Sequence, residues 1–392
     1  MTLPATATAT ASSGPVRLSL VESEDEEQLR SVVRKLLTDR CASDDVAAAY
    51  DGADGLCESL WRSLADDLSL AGILVPEEVG GAGGGAREAG TVLEELGSAV
   101  APVPFLTSAV IATSTLVRLM SAASADQDAV RDTLAVAATG ESVLTLTVPW
   151  STDPADPVYI VREEPDGLHG EVTLVAGADA GTFLVPALGA DGPGLWLVDR
   201  AAVQVSRGSD LDMTRPLATV RFHGAAARAV AHGPAAQDAV RAGLLTGAGL
   251  LASEQLGLAH WCLAETVSYL TVRRQFGRVV GGFQAIKHRL ADLYIAVEGA
   301  RAAARYAAAT LADDPVDAPV AVAVAASACG EAAVRAAEEC VQLHGGIGMT
   351  WEHPAHLRLK RAVADHVALG TPVRHRARLG GLVGIVPDKE CR

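Results

Sequence analysis

Three short phrases carry residue types that could do chemistry together. They are Val272-Arg273-Arg274-Gln275-Phe276-Gly277, Gly282-Phe283-Gln284-Ala285-Ile286 and Val341-Gln342-Leu343-His344-Gly345-Gly346-Ile347-Gly348. Arginine pairs with a pyrophosphate in a two-pronged geometry. Phenylalanine offers its face to a ring, and glycines let the backbone approach a ligand closely. An arginine and phenylalanine at one helix end, with a glutamine and two glycines at another, suit a flat, aromatic, phosphate-bearing ligand. Taken singly, Arg273 reads as a surface salt-bridge residue and Gln342 as a helix cap. Their order and spacing within one helical region favour the ligand. Gly345-Gly346-Ile347-Gly348 is not a G-x-G-x-x-G fingerprint and follows no strand, which disfavours a nicotinamide dinucleotide.

These phrases need rigid elements to hold them. From about Ser23 to Leu119 the apolar residues recur near a helical period, as at Leu29, Val32, Val33, Leu36 and Leu37. Leu60–Leu70 and Arg87–Leu96 continue the pattern, and Gly97 reads as a helix stop. From about Asp128 to Ala231 it gives way to short runs: Val143–Val148, Val158–Val161, Gly170–Val175, Thr182–Val185, Leu195–Val198 and Ala218–Phe222. Gly, Pro and Asp clusters separate them, as in a small antiparallel barrel or sandwich. Four long helices follow, at Ala239–Thr271, Ile286–Leu311, Val320–Leu343 and Pro354–Ala368, joined by short turns as in an up-and-down bundle. The expected organisation is a disordered tail (1–18), an N-terminal helical domain (19–127), a middle β domain (128–232) and a C-terminal bundle (233–392). The fold class is α+β.

The chain has 392 residues, more than one ordinary core, and a formal net charge of -16. That charge argues against a nucleic-acid partner. Cys41, Cys57, Cys262, Cys329, Cys340 and Cys391 include no C-x-x-C pair, so zinc and redox motifs are not expected. The N-terminal stretch lacks the basic start and apolar core of a signal peptide. No membrane span is expected, and the setting inferred is a reducing cytoplasm. His353 and His356 stand three apart, but Pro354 intervenes and the sequence offers no third ligand, so no metal site is expected.

The helical, β, helical-bundle order and the three phrases resemble the acyl-CoA dehydrogenase family. There, R-x-x-F-G, F-Q and Q-x-x-G-G-x-G turns contact FAD. The stretch Gly72–Pro104, including Glu94-Glu95-Leu96-Gly97, is similar to the family's N-terminal helical domain. The resemblance implies oxidation of an acyl-CoA between Cα and Cβ, with a glutamate taking the α-proton and flavin N5 the hydride. It also implies an electron-transfer flavoprotein as acceptor.

Here the sequence departs from the family. Of the two positions used for the glutamate, one is Leu369, in Val367-Ala368-Leu369-Gly370-Thr371, and the other is Gly247. Ala248 stands where many relatives carry a binding arginine, and Val373 where they carry a flavin-contacting glutamine. Glu254, two turns beyond Gly247, is the fallback base, whereas Glu265 and Glu298 read as solvated helix residues. The turns that line the flavin ring are not recognisable in Leu146–Pro154, and Gly208-Ser209-Asp210 comes too late. What remains is the set that the family uses across a subunit boundary: Arg273, Gln275, Phe276, Gln284, Gln342, His344, Gly345 and Gly346.

The expectation is therefore a non-catalytic subunit, with FAD shared across an interface and a second acyl-CoA dehydrogenase-like chain supplying the glutamate and binding most of the acyl-CoA. The Gly345–Leu357 phrase resembles the paired α2β2 dehydrogenases that actinobacteria use on steroid side chains. That implies a bulky CoA thioester. Two alternatives stay open: a self-sufficient homotetrameric flavoenzyme with a displaced base, and a non-enzymatic acyl-CoA- or flavin-binding homologue.

Overall fold

Ser23 opens the first helix, α1 (Glu24–Arg40), through a capping box with Glu26. The structure, a computed structural model, describes residues 18–50, 55–313 and 316–385. The expected disordered tail lies outside them except for Leu18, and so does Cys391. The short helices α2 (Ser43–Tyr50) and α3 (Leu56–Arg62) follow, and α3 widens into a π-turn over Ser63–Asp67. Next come α4 (Ala86–Ala99), a π-helical stretch Phe105–Ala112 running into α5 (Thr113–Met120), and α6 (Gln127–Ala138).

Two expectations need correcting in this part. Residues 127–138 form α6, capped by Asp126, so strands begin only at Leu144. Gly97 is not a stop, because α4 runs to Ala99 and closes on Val100 with a positive φ of 53°. Gly97 is required for another reason: a Cβ there would sit 2.1 Å from the Glu254 carbonyl oxygen. In return, a Cβ on Gly257 would sit 1.9 Å from the Glu94 carbonyl oxygen. The two glycines let α4 lie backbone against backbone on the long helix of the C-terminal half.

The middle region is a mixed sheet of eight strands: β1 (Leu144–Leu146), β2 (Val161–Glu164), β3 (Gly167–Ala176), β4 (Thr182–Gly189), β5 (Gly192–Asp199), β6 (Gln204–Arg207), β7 (Leu217–Ala225) and β8 (Ala227–His232). Their order is β6-β7-β3-β2-β4-β5-β8, with β1 paired to β4. Most pairs are antiparallel as expected, but β1 and β2 both run parallel to β4. The run expected at Val158–Val161 becomes a strand only from Val161. Strands β6 and β8 had no apolar run to announce them: β6 is largely exposed, and β8 is mostly alanine, arginine and histidine. Phe183, Trp196 and Phe222 centre a core of the sheet's own.

The C-terminal half holds α7 (Gly233–Val272), a hairpin of β9 (Arg274–Gln275) and β10 (Arg278–Val279), then α8 (Gln284–Asp313), α9 (Ala318–His344), α10 (Ala355–His366) and α11 (Pro372–Leu382). The four expected helices are present, and α11 adds a fifth, capped by Thr371. Its Arg374, Arg376 and Arg378 and its Gly380-Gly381 pair hide the apolar repeat. Among the described residues, one helix passes the length and composition test for a membrane span. Ala318–Met349 is long and apolar enough to cross a membrane by length and composition, and 61% of its most apolar window is buried. It serves as the central helix of the bundle.

Candidate cofactor edge and a closed inner site

Because α7, α8 and α9 alternate in direction, the C-terminus of α7, the N-terminus of α8 and the C-terminus of α9 share one end of the bundle. The Tyr269 ring stacks on His344 at 4.4 Å, which fixes that juxtaposition. Of the residues expected to bind cofactor, Arg273, Gln275, Phe276, Gln284, Gln342, Gly345 and Gly346 lie exposed here. Phe276 and Gly277 form the two-residue tip between β9 and β10, both with positive φ, 51° and 75°. Such a turn suits Asn-Gly, and a bulky residue at its first position is strained. Phe276 nevertheless stands 91% exposed there. Arg273 and Arg274 are both exposed there. Cβ atoms added at Gly345 or Gly346 would meet nothing within 4 Å, so this stretch of backbone is open to approach.

His344 departs from its neighbours. It is 3% exposed, and its Nδ1–H donates to the Cys340 carbonyl at 2.7 Å. It supports the edge from beneath rather than presenting a side chain at it.

The two positions expected for the base meet in space. A Cβ on Gly247 would lie 3.2 Å from Leu369 Cδ1 and 2.5 Å from Ile111 Cγ1. Leu369 is 1% exposed with φ 49°. Its N–H donates to the Trp150 carbonyl at 2.8 Å, while Trp150 N–H donates to the Leu174 carbonyl at 2.8 Å. Trp150, itself buried, thus straps β3 to the α10–α11 turn. The void left among Ile111, Trp150, Leu244 and Leu369 is about 10 Å³, and no ionisable side chain lines it. That is far below the roughly 300 Å³ of a typical ligand pocket.

Glu254, the fallback base, is enclosed in a buried ion network. It is 1% exposed and paired with Arg215 at 2.7 Å and Arg361 at 2.6 Å. Burial pushes its pKa up, but Arg215 and Arg361 outweigh burial and hold the carboxyl below its usual range. A low-pKa carboxylate gripped by two guanidinium groups is a poor proton acceptor. Asp212 pairs with Arg361, and Asp365 with Arg215 at 2.8 Å. The network ties the β6–β7 loop to α7 and α10. Burial, and then Glu254, push the Asp365 carboxyl well above its usual range. One sequence signal existed: Glu254 is the only charged side chain between Arg241 and His260, and a charge so placed requires partners.

The structure also corrects the absence of a third metal ligand. His353 does not share a face with His356, which packs against Trp351. It meets Glu265 and His344 instead, and the ligand atoms of those three residues lie within 4.8 Å of one another. Glu298 pairs with Arg301 on the surface of α8, as a solvated helix residue would.

Comparison with known proteins matches this architecture. Residues 23–139 fit the acyl-CoA dehydrogenase N-terminal domain and residues 237–380 the acyl-CoA dehydrogenase C-terminal domain. The chain belongs to the acyl-CoA dehydrogenase family of oxidoreductases. It is 35% identical to acyl-CoA dehydrogenase IpdE2 of Mycobacterium tuberculosis over 89% of this chain and 94% of that one. Among solved structures it resembles a variant of the Tcur3481-Tcur3483 steroid ACAD, with 31% identity, a TM-score of 0.79 and coverage of 92% of this chain and 98% of that one. The ChsE4-ChsE5 complex from Mycobacterium tuberculosis matches with 29% identity, a TM-score of 0.82 and coverage of 95% and 100%.

Proposed function

We propose that this chain is the non-catalytic subunit of a heteromeric, FAD-dependent acyl-CoA dehydrogenase. A second chain of the same family supplies the glutamate base, the flavin-ring pocket and most of the acyl-CoA site. The observation that carries the reading is the convergence of Gly247 and Leu369 on one filled apolar site, while the bundle end beyond it stays open. FAD supplies the hydride acceptor at the partner's ring site. This chain's residues bind and orient: Arg273 meets the diphosphate as a paired donor, Phe276 packs against a ring, and Gln275, Gln284 and Gln342 offer amide donors and acceptors. Gly345 and Gly346 present backbone N–H groups, and His344 holds that turn in place.

The steroid ACAD named above supports a bulky, steroid-derived CoA thioester as substrate; an electron-transfer flavoprotein as acceptor follows from the family resemblance. The cytoplasm is the setting proposed, in keeping with free thiols at all five described cysteines.

The test is the native mass and flavin count of the complex purified from its own cell. Two copies of this chain with two of a related chain and about two FAD are expected. Four copies of this chain with four FAD would sink the proposal.

A further inference from the structure

The geometry points to a divalent transition-metal site, of the kind that takes Zn²⁺, built from Glu265, His344 and His353 beneath the exposed edge. The three side chains come from two helices and a turn: Glu265 from α7, His344 from the last residue of α9, and His353 from the turn before α10. Their ligand atoms lie within 4.8 Å of one another, and His353 Nε2 is 3.7 Å from Glu265 Oε1. Two imidazoles and one carboxylate, with a position left for water, form a donor set that zinc adopts.

His344 supplies the independent observation. Its Nδ1–H is committed to the Cys340 carbonyl at 2.7 Å, which fixes the tautomer and leaves Nε2 as a lone pair. A backbone carbonyl on the far ring nitrogen is how metal-bound histidines are commonly oriented. The Nε2 atom is buried and has no hydrogen-bond partner, in a residue 3% exposed. A buried acceptor left unpaired costs stability, so the position calls for an occupant. Stacked on Tyr269 and packed at a tilt against His353, the His344 ring is held in that orientation.

Closing the site takes small movements. Ligand atoms around a tetrahedral zinc are about 3.4 Å apart, from bonds of about 2.1 Å. Glu265 is 39% exposed and His353 stands on a turn, so both can close on the fixed His344. One hydrogen bond is given up. His353 Nδ1 accepts from Ala355 N–H at 3.2 Å, so its proton sits on Nε2. Metal binding at Nε2 moves that proton to Nδ1 with no net release, and the Ala355 amide loses its acceptor.

The experiment uses the full chain, stripped with chelator and titrated with Co²⁺ as a spectroscopic probe and Zn²⁺ as competitor. One equivalent of Co²⁺ should give the visible absorption of a low-coordinate site and be displaced by Zn²⁺. Glu265→Gln and His353→Gln should each weaken binding by about tenfold or more, while His223→Gln on β7 should leave it unchanged. In the wild type, the Ala355 amide should exchange faster once metal is bound. Absence of one-equivalent binding, or equal affinity in all three variants, would overturn the inference and leave a water as the occupant of His344. The proposed subunit role stands or falls separately, on mass and flavin count.

Discussion

Replacing Phe276 separates the proposed edge from the fold that carries it. The side chain is 91% exposed and touches little but the edge of Phe283. Phe276→Ala should therefore leave the melting temperature of the isolated chain nearly unchanged, because alanine inherits the same positive φ. Phe276→Gly should raise it slightly, since the left-handed conformation costs an L-residue about 1–2 kcal/mol, partly offset by glycine's entropy. In the proposed complex the ring would go from water to a protein–cofactor contact. Fully burying a phenylalanine is worth about 1.5–3 kcal/mol, so its loss should weaken FAD retention by roughly 10- to 150-fold. The assay is flavin retained after gel filtration of the complex, paired with thermal melts of the isolated chain. Retention within about twofold of wild type would refute the edge as a cofactor contact. A drop in the isolated chain's stability as large as the loss of FAD would assign Phe276 to folding instead.

Glu254→Gln should destabilise the chain by about 3–5 kcal/mol, read by urea unfolding, because it leaves Arg215 and Arg361 buried without their shared carboxylate. Glu254 and Asp212 have folded pKa values below their unfolded ones. Their contribution should thus be complete above about pH 5 and lost as pH falls through the folded values. Asp365 has the opposite sign, its folded pKa being raised. Asp365→Asn should therefore raise the melting temperature at neutral pH, with the gain shrinking toward pH 4. Leu369→Glu should cost about 4 kcal/mol or more, because it buries an unpaired carboxylate. It should restore no dehydrogenase activity to the chain alone, since the void beside Leu369 is only about 10 Å³; turnover by that variant would overturn the closed-site reading.

The bundle and the exposed edge were legible because long amphipathic helices repeat their pattern many times, and Arg273, Phe276 and Gln342 sit at helix ends that such patterns mark. That Leu369 and Gly247 share one apolar site was not legible, because only tertiary contact brings them together. Three further features were out of reach for different reasons. Trp150 lies in an irregular loop, and only tertiary contact shows that it straps Leu174 to Leu369. Helix α11 carries arginines and glycines that mask its buried face. The Asp212–Arg361–Glu254–Arg215–Asp365 network joins residues 39 to 150 positions apart, and local sequence offers only the lone buried charge of Glu254 as a hint. Gly97 misled because glycine serves both as a helix stop and as a point of close contact, and its role was set by the Glu254 backbone across the interface.

That contact has a consequence for synthesis in the cell. Val92 and Leu93 of α4 share one continuous apolar core with Leu250 and Ala259 of α7, which also takes in Leu184 and Leu195 of the sheet, while a second cluster lies within the sheet itself. The first helices emerge from the ribosome long before α7 exists to cover them, so their apolar face must wait exposed through translation of the whole sheet. The sheet can close on its own core meanwhile, but the helical half is committed to late, all-at-once assembly. Truncations that stop before Val272 should accordingly yield aggregates rather than a stable N-terminal fragment, and newly made chains should depend on chaperone holding until the last helices are released.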